Sequence, residues 1–191
     1  MQASENRATT SGGTPPELMR AAFRELHGTR LHGFALLLTL GDRARAARLA
    51  GEALAAGMSR TTELRHPERA AAWLRRRITS NTDRAGRPTR GRSAGDGRLA
   101  IEELGAGAAA FAGLSVLNLR ERAALIADSI ERLERGDVAT IVGIDGARLD
   151  RLIRRVRGRY TATVAASLDE ASATDGPTVE RIQAIAARAL T

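Results

Sequence analysis

The chain has 191 residues, 30 of them basic and 22 acidic, for a formal net charge of +8, and it contains no cysteine. That composition excludes disulfides and thiolate metal sites, fits a reducing cytosol and favours polyanionic partners. Every basic residue is arginine, which in an Ala- and Gly-rich chain says little by itself, so the position of each arginine carries the information.

In chain order, Met1 to Pro16 is polar, rich in Ser, Thr and Gly, and lacks the apolar stretch of a signal peptide. A disordered tail is expected over 1–16. Pro15 and Pro16 suit the first turn of a helix running from about Glu17 to His27. Arg30 to Leu40 predicts a second helix that buries Leu31, Phe34, Ala35, Leu37 and Leu38. Gly41-Asp42 breaks it, and Asp42 can cap a third helix through about Gly57, with Ala46, Leu49, Ala50, Ala53 and Leu54 inward. His66-Pro67 begins a fourth, carrying Ala71, Trp73, Leu74 and Ile78 to about Arg84. Residues 17–84 are thus expected to form one small helical domain.

Residues 85–98, AGRPTRGRSAGDGR, place four arginines against Asp96 with almost nothing apolar. A flexible basic linker is expected over 85–106, either a solvated spacer or a tether along a phosphate backbone. A second helical domain follows over 107–168, with helices at about Leu119–Leu133, Gly136–Val142 and Gly146–Val164. The remaining tail, 169–191, crosses an Asp/Ser/Gly stretch before Pro177 opens a short amphipathic helix bearing Val179, Ile182, Ile185 and Leu190. The expected fold is all-α: two small helical domains joined by a flexible linker, the second a helix-turn-helix.

The window Arg135 to Arg154 carries that last expectation. Val138, Ile141, Val142, Ile144, Leu149, Leu152 and Ile153 supply its apolar positions. Ala139 is small enough for two helices to cross closely, Gly143 accepts positive φ in the turn, and Asp145 can cap the second helix. That helix buries Leu149, Leu152, Ile153 and Val156. Its other face shows Arg148, Arg151, Arg154, Arg155, Arg157 and Arg159 against the single acid Asp150, as entry into a DNA major groove requires. The plainer reading is a solvated, Arg-rich helix in an ordinary bundle.

Both halves together resemble the bacterial RNA polymerase sigma factors of the extracytoplasmic-function type, over about residues 18 to 84 and 112 to 165. The stretch LNLRERAALIADSIERLERGDVATIVGIDGARLDRLIRRVRGR resembles their region 4 without a gap, including Arg122, Val138-Ala139 and the Gly143-Ile144 turn. RLHGFALLLTLGDRARAARLAGEAL resembles the two helices of region 2. RHPERAAAWLRRRITSNTDR resembles the segment that melts and holds the −10 element, through Trp73, Leu74, Arg75, Arg76 and Asn81. The resemblance implies double-stranded promoter DNA and core RNA polymerase as partners, with an anti-sigma factor as a further one. It implies −35-type DNA contacts at Arg148, Arg151, Arg154, Arg155 and Arg157, and further DNA contacts at Trp73, Arg76 and Asn81. Polymerase contacts fall at Arg48, Leu49 and Glu52. Trp73 is equally a core anchor in an Ala-rich helix.

Two departures bear on the polymerase surface. Arg48 stands where the family usually has Asp, and Gly51 where it has Gln, so like charges would meet at a close contact. MSRTTELR (58–65) lacks aromatics, and the whole chain has five, too few for a strong single-strand stacking platform. A sigma-like regulator that binds DNA but not polymerase is therefore a second reading, and a protein-interaction module a third. An enzyme is not expected: there is no phosphate-cradling Gly motif after a strand, and Gly105, Gly107 and Gly113 follow none. His27, His32 and His66 lack metal-ligand spacing, so neither metal nor cofactor is expected. The longest apolar run, Phe34 to Leu40, is too short to span a bilayer, and a cytoplasmic location is expected.

Overall fold

Three helices build the first half. α1 (Pro15–Leu38), α2 (Arg43–Met58) and α3 (Pro67–Arg84) pack on one another in the computed structural model. The structure describes residues 15–60, 63–64, 66–84, 94–105 and 107–189, and side chains within 17–60, 63–64, 66–83, 95–105 and 107–168. All regular secondary structure among them is helical. The tail expected over 1–16 lies outside the described residues up to residue 14, and Pro15-Pro16 open α1 as proline's fixed φ allows.

α1 runs unbroken through Gly28 and Thr29, where the sequence suggests two helices. A mid-helix glycine costs about 1 kcal/mol, and burial outweighs that here. Leu31, Phe34, Ala35 and Leu38, all nearly inaccessible, lie at i, i+3, i+4 and i+7. They pack with the matching stripe of α2, Ala46, Leu49, Ala50 and Ala53, whose small side chains let the helices approach closely. Asp42 caps α2 by accepting from the Arg45 backbone N–H at 3.0 Å.

Part of the expected linker is also structured. Residues 85–93 lie outside the described ones, but α4 (Ala94–Glu102) is helical because Ala100 and Ile101 are fully buried. α4 meets the α1–α2 turn at two glycines. Gly41 has φ +80°, and a Cβ there would fall 2.0 Å from the Gly97 carbonyl oxygen; a Cβ on Gly97 would fall 2.4 Å from the Leu40 carbonyl oxygen. Only two bare backbones can pass so closely.

The second half comprises α5 (Ala108–Ser115), α6 (Leu119–Leu125), a π-helical segment (Ile126–Ile130), α7 (Arg135–Val142) and α8 (Gly146–Ala189). α8 continues through the stretch where the sequence suggests a break and a new start at Pro177. The side chains of the amphipathic run Val179 to Leu190 lie outside the described ones.

The halves expected at 17–84 and 107–168 pack against each other, chiefly α3 on α7 and α6. α3 can face both ways because it buries two adjacent stripes. Ala70, Leu74 and Ile78 form one, and Ala72, Arg75, Thr79 and Thr82 form the other. Thr79 and Thr82 satisfy their hydroxyls on the Arg75 and Ile78 carbonyls, so this second stripe can be buried without loss. Buried side chains from Phe23 to Val156 make one continuous cluster.

Candidate nucleic-acid interface

α7 ends where Gly143 adopts the left-handed conformation (φ 69°, ψ 42°), with its N–H and that of Ile144 both bonded to the Ala139 carbonyl. Ile144 follows, and the Asp145 carboxylate accepts from the Arg148 backbone N–H at 2.8 Å at the head of α8. The turn is fixed from outside as well. Arg76 of α3 donates to the Thr140 carbonyl at 2.6 Å, a cation on one of the unpaired carbonyls at the C-terminus of α7.

Beyond the turn, Leu149, Leu152, Ile153 and Val156 are buried at helical spacing, which sets the phase of α8 and turns Arg148, Arg151, Arg154 and Arg155 outward. The acids nearby are already engaged. Asp145 caps the helix and pairs with Arg148 at 3.3 Å, and Asp150 pairs with Arg135. Arg151, Arg154 and Arg155 form no ion pair among the described residues and are exposed. Three cations at i, i+3 and i+4, unopposed at the surface, form an attractive site for phosphate oxygens and base edges.

Arg157 is placed differently. It donates to the nearly buried Asp128 carboxylate at 2.6 Å, which also accepts from Arg135 at 2.9 Å. Its guanidinium therefore braces α8 against the π-helical segment. Arg159 likewise reaches inward, to Glu121 at 2.8 Å and the Val116 carbonyl at 2.5 Å.

In the first half the expected site residues scatter. Trp73 is half-buried against the core, with the Arg60 and Arg77 guanidiniums 5.7 and 5.6 Å from its ring. Asn81 is half-buried on α3, and Arg76 is occupied at the α7 terminus. On α2, Arg48 pairs with Glu52 at 2.8 Å on the exposed face, while Leu49 is 1% exposed and belongs to the core.

Several ties between the halves were not anticipated from the sequence. Arg75, nearly buried, makes a two-pronged ion pair with Glu131 across the interface and lies 5.7 Å from the Phe34 ring. Its place in the stripe with Thr79 and Thr82 was the available signal. Arg122 donates to the Leu38 carbonyl at 2.5 Å and the Leu117 carbonyl at 2.9 Å, and burial pulls its pKa down to about 10. Glu121 completes a capping box with Asn118, legible in the Asn-x-x-Glu spacing.

Among the described residues no group of His, Asp and Glu is arranged to hold a metal ion, and no helix is long and apolar enough to cross a membrane. Compared with known protein families, curated proteins and solved structures, the chain matches none.

Proposed function

We propose that the chain is a sigma-factor-like transcription protein that binds promoter DNA through α7, the Gly143 turn and α8, and core RNA polymerase through α1–α3. The observation that carries this reading is the outward stripe Arg151, Arg154 and Arg155, unpaired, on a helix whose head is capped by Asp145 after a left-handed glycine. Helix-turn-helix proteins read base edges from the N-terminal part of the second helix, and these arginines lie within its first three turns. Selection of duplexes from a random pool tests it. The wild-type chain enriches a short motif, and the Arg151→Ala, Arg154→Ala variant loses the enrichment while keeping its fold. Equal enrichment by both removes α8 as the reader.

A specific observation favours a second reading, a regulator that binds DNA without polymerase. On α2 the Arg48–Glu52 pair satisfies itself and Leu49 is buried, which leaves little of the acidic docking surface the resemblance implies. Titration of labelled protein with purified core polymerase separates the two: submicromolar binding supports the first reading, and none up to tens of micromolar supports the second.

A further inference from the structure

A cleft of about 470 Å³ opens between α1, the head of α3 and the residues leading into α7. It lies away from the α8 arginine stripe. Arg30 of α1, Arg69 of α3 and Arg132 line it, and none of the three is ion-paired among the described residues, although the carboxylates Glu68, Glu134 and Asp137 line the same cleft. Those acids sit in or beside the first turns of α3 and α7, where helix N-termini stabilise negative charge. The arginines are left unneutralised.

Two independent observations point to an occupant. His27 lines the cleft with only 6% of its surface exposed, and it has no hydrogen-bond partner; its neighbours are the Phe23 ring at 4.6 Å and the Arg75 charge. A buried polar ring is ordinarily bonded. Arg132 holds φ 55°, a left-handed backbone that a long side chain rarely adopts and that clusters where function demands a fixed group. In addition Leu26, at the cleft wall, is 57% exposed.

We propose that this cleft binds a small phosphate ester, its phosphate on Arg30, Arg69 and Arg132, its organic body against Leu26 and Leu133, and a His27 ring nitrogen bonded to it. Arginine's planar fork matches phosphate oxygens better than any other side chain. The volume exceeds a bare anion and falls in the range of small-molecule sites. Glu68, Glu134 and Asp137 accept hydrogen bonds and repel further negative charge, so the body carries donors, as a nucleoside or sugar does, and a polyanionic strand is disfavoured. The walls come from both halves, so the ligand holds them together.

Calorimetry on the full chain with AMP, ribose 5-phosphate, inorganic phosphate and sulfate, at near-physiological salt, tests the site. One molecule of AMP or of ribose 5-phosphate binds, and Arg30→Ala with Arg69→Ala weakens it at least about tenfold. Arg132→Gly weakens it similarly while leaving the melting temperature unchanged or higher, because glycine relieves the left-handed backbone. Arg154→Ala with Arg155→Ala, equally cationic residues outside the cleft, leaves binding intact. Absence of binding by both esters overturns the proposal. So does binding that sulfate matches or that all variants share, which marks general attraction to a basic protein. The site stands apart from the DNA reading: the Arg30, Arg69 variant keeps wild-type duplex affinity.

Discussion

At the scale of single residues, the apolar phase of α8 was enough to place Arg151, Arg154 and Arg155 outward, because four buried residues at helical spacing leave them no other direction. The inward arginines were not legible in the same way. Arg75, Arg76 and Arg157 have the same composition signal as the exposed three, and only long-range partners, Glu131, the Thr140 carbonyl and Asp128, distinguish them. His27 was equally silent. Its burial, and then the Arg75 charge, hold its pKa below the usual imidazole value. A histidine with a lowered folded pKa binds fewer protons folded than unfolded, so its contribution is fully present above the unfolded value, about 6.5, and is lost as the pH falls through the folded pKa. His27→Gln is therefore expected to flatten the decline in stability below about pH 6.5, read from urea midpoints. An unchanged decline assigns it to other groups.

At the scale of elements, capping and apolar periodicity located α2, α3, α6, α7 and the head of α8 well, since each start carries its own local chemistry, such as Asp42, Pro67 or Asp145. Boundaries failed where packing overrides local preference. Gly28 reads as a break, yet the α1–α2 contact carries the helix through it. Residues 94–102 read as linker because Gly and Arg surround the two side chains, Ala100 and Ile101, that anchor α4. The π-helical segment had no sequence mark; it places Ile126 and Ala127 in the core and sends Asp128 and Glu131 to arginines of different elements. The α4 contact makes a sharp prediction. Gly97→Ala gains up to about 1 kcal/mol of helix propensity. The new Cβ, 2.4 Å from the Leu40 carbonyl oxygen, forces a backbone shift costing more, about 1–3 kcal/mol. A thermal melt should show net destabilisation, and an unchanged or raised midpoint contradicts the close backbone approach.

At the scale of the whole molecule, the two halves are tied by arginines reaching across: Arg75 to Glu131, Arg76 to Thr140 and Arg122 to Leu38. None of these pairs is closer than 56 residues in sequence, which is why no local pattern announces them. Glu131→Ala leaves the nearly buried Arg75 guanidinium without its carboxylate and is expected to cost about 3 kcal/mol, seen as a lowered urea midpoint. A loss below about 0.5 kcal/mol means the pair is no more than a surface contact. With the halves packed this way, the α8 arginines remain the open basic surface on which the functional account rests. The most direct measurement is the salt dependence of affinity for a duplex, wild type against Arg151→Ala, Arg154→Ala. Two lost phosphate contacts lower the steepness of the log–log plot by about 1.8. The same steepness in both proteins contradicts the account.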